Sequence, residues 1–202
     1  MIEALFNKIN SFIIFKIIFL GVILSNNDIE SINHSISPTY QPICKNVCLD
    51  IGLISNDNSN SYIGLQWMVS HNMMISGQTH INLNSNNYSD IASHNIIGGK
   101  LILKQTKNSK FIFSISANKL RYTDTGNYSW LQNSFIFLKK VKKYSAQFIL
   151  DQIQIDNSNS NRINFVGGYN ILNNIFLYIG TSYILDSDDE SLSPFFSLGF
   201  NL

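Results

Sequence analysis

Residues 62–83 read Tyr62-Ile63-Gly64-Leu65-Gln66-Trp67-Met68-Val69-Ser70-His71-Asn72-Met73-Met74-Ile75-Ser76-Gly77-Gln78-Thr79-His80-Ile81-Asn82-Leu83. Ile63, Leu65, Trp67 and Val69 alternate with Gly64, Gln66, Met68 and Ser70. After the break Ser70–Asn72, Ile75, Gly77, Thr79, Ile81 and Leu83 alternate with Ser76, Gln78, His80 and Asn82. Successive side chains of a strand point to opposite faces, so an alternation of this kind predicts two β-strands, each apolar on one face and polar on the other.

The same period recurs to the end of the chain. Leu101 and Leu103 alternate with Lys100 and Lys104, with Ile102 interrupting the polar face. Phe111, Phe113, Ile115 and Ala117 alternate with Ile112, Ser114, Ser116 and Asn118, and Tyr144, Ala146, Phe148 and Leu150 with Ser145, Gln147, Ile149 and Asp151. No stretch after residue 40 has a helical period. Ten strands are predicted, at about 47–54, 62–70, 73–83, 96–105, 111–120, 133–141, 144–155, 163–170, 175–185 and 194–202. Most exceed the ~5–6 residues of an ordinary strand and approach the ~9–11 that cross a bilayer at a tilt.

The predicted connections alternate in length. Ser70–Asn72, Thr106–Lys110, Lys142–Lys143 and Ile171–Asn174 are short; Ser55–Ser61, Asn84–Asn95, Leu120–Gln132, Asp156–Arg162 and Asp186–Ser193 are longer. A meander places every second connection at the same end, so short turns collect at one end and long loops at the other, as in outer-membrane barrels. The expected fold is therefore all-β: an up-and-down antiparallel transmembrane β-barrel of about ten strands, or eight, after a cleaved signal peptide. In lipid the backbone must satisfy its own polar groups, so such a sheet has to close. The apolar face would meet lipid. The opposite face, carrying Asp50, Gln66, Gln78, His80, Asn82, Lys100, Lys104, Ser114, Ser116, Gln147, Asp151, Asn164, Ser197 and Asn201, would line a polar lumen. Asp50, Asp151, Lys100 and Lys104 would form interior ion pairs or make the lumen charge-selective. Tyr62, Tyr122, Trp130, Tyr144, Tyr169 and Tyr183 fall near strand ends, where an aromatic girdle would sit.

Composition fits this reading. The 202 residues are 45% hydrophobic but only 13% charged, about half the usual ~25%. A charge facing lipid costs ~2–4 kcal/mol near the midplane, and uncharged Asn and Ser supply polarity in its place. A net charge of +1 excludes a typical nucleic-acid binder, which needs a basic patch.

The amino terminus carries Lys8 and Lys16, the apolar run Ile17–Leu24 and then Ser25. This is the pattern of a cleaved secretory signal, and the run is too short for the ~20 apolar residues of a membrane helix. The expected organisation is a signal peptide at 1–25, a periplasmic segment at 26–46 and a barrel domain at 47–202. Export makes a disulfide between Cys44 and Cys48 chemically reasonable. Four residues of extended strand span ~13 Å, so such a bridge requires a turn.

The terminal segment Ser193-Pro194-Phe195-Phe196-Ser197-Leu198-Gly199-Phe200-Asn201-Leu202 resembles the last strand of bacterial outer-membrane β-barrel proteins. Val166–Asn170 and Leu177–Tyr183 resemble barrel hairpin strands ending in Tyr. The resemblance implies that Phe196, Leu198, Phe200 and Leu202 are read by the barrel-assembly machinery, with Leu202 standing where the family usually has Phe. It also implies a place in the outer membrane, with outer-membrane lipid as partner.

No catalytic constellation stands out. Asp186, Asp188, Asp189 and Glu190 share a loop without an adjacent His and read as a solvated acidic loop rather than a Ca²⁺ site. Ser76 and His80 share a predicted face, but spacing alone does not make a catalytic pair. Neither a metal nor another cofactor is expected. The expected function is a small, non-enzymatic outer-membrane barrel, either structural or surface-interacting or a narrow pore for small solutes. The alternative is a secreted soluble barrel of the lipocalin kind with an apolar ligand inside.

Overall fold

The computed structural model describes residues 46–54, 60–82, 91–122, 127–155, 158–185 and 192–202. The expected signal peptide, the periplasmic segment up to residue 45, Cys44 and the acidic loop 186–190 lie outside the described residues. Ten strands run along the rest: β1 Val47–Ile54, β2 Asn60–Met68, β3 Met73–Asn82, β4 Ile91–Gln105, β5 Ser109–Tyr122, β6 Asn127–Val141, β7 Tyr144–Ile155, β8 Ser158–Leu172, β9 Ile175–Ile184 and β10 Leu192–Asn201.

Each strand pairs antiparallel with its neighbour in sequence, and β1 pairs with β10 to close the barrel. The seam runs from Cys48 opposite Asn201 to Ile54 opposite Phe195. Closure removes both sheet edges, so the strands find their ladder partners within the sheet. The lipocalin alternative needs a polar exterior, and the exterior is apolar on all ten strands. Ile51, Leu65, Ile75, Ile97, Ile115, Phe137, Phe148, Phe165, Ile179 and Phe196, one from each of β1 to β10, are exposed. Trp67 on β2 is 54% exposed. A belt of this extent on a soluble monomer would be an aggregation surface; facing lipid, it is the outer wall of a membrane barrel.

Several strands are longer than the periodicity predicted. β4, β6 and β8 have 15 residues and β5 has 14. Fifteen residues span ~50 Å along the strand, or ~38 Å of height at a ~40° tilt, against an apolar band of ~25 Å. The wall formed by β4 to β8 therefore rises above the belt. Its extension has exposed Asn95, Lys119, Arg121, Ser129 and Gln154 on the outside and buried His94, Asn118, Trp130 and Ser160 on the inside. Both faces are polar or mixed there, so the ladder continues where the alternation stops.

This corrects three expected connections. Asn84–Asn95 contracts to residues 83–90, Leu120–Gln132 to 123–126, and Asp156–Arg162 to 156–157. The last matches the two-residue turn at 142–143, so the strict alternation of lengths fails at that connection while the alternation of ends holds.

Candidate functional site: the barrel interior

Inward side chains form three zones. Toward the short-turn ends of the strands, Met74, Ile102, Ile112, Ile136, Val166, Phe176 and Tyr178 belong to one buried cluster with Ile149 and Phe195. Ile112, Ile136, Ile149 and Tyr178 have no accessible surface. A water-filled lumen would leave such side chains accessible, so at this height the barrel is a packed core and not a polar channel. Ten strands enclose little more space than the eight that side chains can fill, and branched residues close that space. Glycines make room for two of the buried rings: a Cβ at Gly52 would overlap Tyr62, and one at Gly180 would overlap Phe195.

The middle zone is charged. Arg162 donates to Asp151 Oδ2 through Nε at 3.0 Å and Nη2 at 2.8 Å. Asn164 Nδ2 donates to the same oxygen at 2.7 Å and in turn accepts from Ser182 Oγ. On another part of the wall Lys100 Nζ donates to Gln66 Oε1 at 3.0 Å, with Asp50 buried on β1. Lys100, Ser114, Ser134, Asp151 and Arg162 are successive ladder partners from β4 to β8. Buried charge is tolerable only when paired and hydrogen-bonded, and these partners supply that.

Toward the long-loop ends lies a row of rings. Tyr62 and His80 have ring centroids 5.5 Å apart, His80 and His94 stack at 4.6 Å, and His94 meets Trp130 at 5.2 Å. His94 Nε2 is 3.2 Å from Asn118 Oδ1, and His80 Nε2 is 3.1 Å from Gln78 Nε2. His80 is thus engaged by Gln78 and His94 rather than by Ser76. Among the described residues no group of three or more His, Cys, Asp or Glu is placed to hold a metal.

The sequence-derived residues divide as follows. Asp50, Gln66, His80, Lys100, Ser114, Gln147, Asp151, Asn164 and Asn201 are buried on the inner face, and Gln78 and Ser116 are half-buried there. Lys104 is a correction. The ladder shifts between Ile102 and Lys104, so Lys104 pairs with outward Phe111 and is exposed. A bulge reverses the face of every residue beyond it. Two of the expected girdle aromatics are also corrections: Tyr62 and Trp130 point inward and are buried. Tyr144 and Tyr169 are exposed, with rings 5.2 Å apart. Phe196 and Leu202 are exposed, and Leu198 and Phe200 are half-buried. Cys48 is buried at the seam, with Sγ 3.2 Å from Asn201 Oδ1.

Arg162 and His94 were missed because their positions looked like loop. Once the strand is extended, the two-residue step from Asn164 places Arg162 inward, and the same step from Ile96 places His94 inward.

No protein-family model matches the chain, and no curated protein matches it. Solved structures do. A KdgM porin superposes with a TM-score of 0.52 at 9% identity, covering 77% of this chain and 99% of its own. A KdgM porin in complex with disordered oligogalacturonate gives 0.51 at 8% identity, covering 77% and 99%. At these identities the likeness is one of fold: the chain has the closed, antiparallel, all-β barrel architecture of small outer-membrane porins.

Proposed function

We propose that the chain is a small, non-enzymatic β-barrel protein of the outer membrane, structural or surface-interacting, with a constricted lumen that serves as a narrow passage at most. The exposed apolar belt on all ten strands carries the membrane reading. The inaccessible cluster around Ile112, Ile136 and Ile149 supports constriction. In the same reading residues 1–25 direct export and 26–46 remain periplasmic. The segment Phe196, Leu198, Phe200 and Leu202 is offered to the barrel-assembly machinery. The tall wall of β4 to β8 presents its polar extension outside the membrane.

A second reading, a narrow pore for small solutes, is favoured by the porin neighbours and by the charged middle zone with Lys100, Asp50, Asp151 and Arg162. Conductance of the refolded full chain in a planar bilayer separates the two. Steady current of the size given by small ions would support the pore reading; bilayers that stay silent would support the constricted barrel. A chain that is monodisperse in buffer without detergent would overturn both.

A further inference from the structure

Seven of the chain's 14 Lys and Arg residues sit on two hairpins at one end of the barrel. Lys104, Lys107 and Lys110 flank the β4–β5 turn, and Lys139, Lys140, Lys142 and Lys143 flank the β6–β7 turn. The hairpins are neighbours: the Lys140 amide donates to the Asn108 carbonyl oxygen at 2.7 Å. Lys104, Lys107, Lys139, Lys142 and Lys143 are exposed. The acidic residues among those described are Asp50 and Asp151, and both are buried in the lumen. Lys110 and Lys140 are half-buried on the inward face, opposite buried Leu138 and Ser145. The described wall therefore offers the five exposed lysines no carboxylate, and their concentration of like charge suits an outside anion.

The surroundings indicate which anion. Immediately toward the middle of the wall the outer face is aromatic. Phe111 pairs with Phe137 and Phe113 with Phe135 in the ladder, with rings of Phe113 and Phe135 5.0 Å apart. Phe148 and Phe165 follow at 5.3 Å. Exposed Tyr144 lies opposite Val141 and Tyr169, two positions from Lys139 along the same outward face. Tyrosine on the outer wall marks the water–lipid boundary, which places Lys142 and Lys143 at headgroup height and Lys139 one register step inside it, within reach of a lysine side chain. Lys142 also keeps φ at 55°, in a turn where glycine would be the easier residue.

We propose that this rim binds the phosphodiester headgroups of anionic phospholipids in the leaflet at the short-turn end, with the phenylalanine patch accepting their acyl chains. The inference rests on the membrane reading above. The test is spin resonance of spin-labelled phosphatidylglycerol and phosphatidylcholine around the full chain refolded in phosphatidylcholine vesicles. Insertion is read separately, from heat-modifiable migration.

The expected result is a preference for phosphatidylglycerol of about three-fold or more at low salt, since each basic residue near an anionic surface contributes substantially. It should fall to about unity in about 1 M NaCl, where screening is short-ranged, and in the variant Lys104→Gln, Lys107→Gln, Lys139→Gln, Lys143→Gln. The variant Lys119→Gln, Arg121→Gln, at the opposite end, should keep it. Absence of preference in the unaltered chain, its survival in the rim variant, or its equal loss in the opposite-end variant would overturn the proposal while leaving the membrane reading intact. Failure of the unaltered chain to insert would overturn both.

Discussion

Replacing Asp151 by Asn keeps the side-chain shape and removes one charge from the barrel interior. Oδ2 of Asp151 accepts three hydrogen bonds, two from Arg162 and one from Asn164, at 2.7–3.0 Å. Oδ1 is buried without a hydrogen bond, so the carboxylate's gain is concentrated on one atom. The side chains of Arg162 and Asp151 are 2% and 0% exposed, so water cannot replace what is lost. Breaking a buried pair by removing one partner costs ~3–5 kcal/mol. The amide retains one acceptor, which points to the lower end, ~3 kcal/mol or about a hundred-fold in the folded-to-unfolded ratio.

Urea unfolding of the chain refolded in lipid vesicles, followed by Trp67 and Trp130 fluorescence and extrapolated linearly, measures this. A cycle with Arg162→Gln and the double variant should show a coupling of ~2 kcal/mol or more, because the double change removes both charges. A cost below ~0.5 kcal/mol, or additive single effects, would refute the reasoning that this pair is dry and mutually dependent.

Other expectations follow from the wall and the core. A Cβ at Gly98 would stand 2.7 Å from the Ile115 carbonyl oxygen and 2.8 Å from Ser116 Cβ, whereas one at Gly99 meets nothing within 4 Å. Gly98→Ala should therefore cost ~1–3 kcal/mol in urea unfolding, while Gly99→Ala should change it by less than ~0.5 kcal/mol; equal effects would contradict the two-faced geometry. Truncating Ile112, Ile136 and Ile149 together to Ala opens the packed zone. Single-channel recording should then show more current than the unaltered chain gives, and unfolding should show a stability loss of ~2–5 kcal/mol per site at most. Phe200→Asp with Leu202→Asp should abolish heat-modifiable migration of the chain recovered from membranes; normal migration would contradict the role given to the last strand.

The fold was legible wherever one face is apolar and the other polar. β2, β3, β7 and β10 follow the alternation of Ile63–Ser70, Ile75–Leu83, Tyr144–Asp151 and Phe196–Leu202 within a few residues. It was not legible where that contrast disappears. β6 begins six residues before its predicted start at 133 and β8 five before 163, because Asn127–Gln132 and Ser158–Arg162 rise above the lipid belt and have no apolar face to mark them. Lys104 misled because a bulge is invisible to a count of residues. The lumen misled for a different reason. Ile102, Ile112, Ile136 and Ile149 interrupt the polar face in the sequence, yet they are the inner core. A narrow barrel carries apolar side chains on both surfaces, and alternation cannot separate those that meet lipid from those that meet each other. Pairing of Arg162 with Asp151 required the extended β8 before it could be seen.

The central claim is that the apolar wall faces lipid and the opposite face is sealed inside. Spin labels placed singly at Cys substitutions of residues 62 to 67 on β2, in the chain refolded into vesicles, test it most directly. The account predicts a period of two: labels at Ile63, Leu65 and Trp67 relaxed by membrane-dissolved oxygen, and labels at Tyr62, Gly64 and Gln66 reached by neither oxygen nor a water-soluble nickel complex. Relaxation of the Ile63, Leu65 and Trp67 labels by the nickel complex would contradict it.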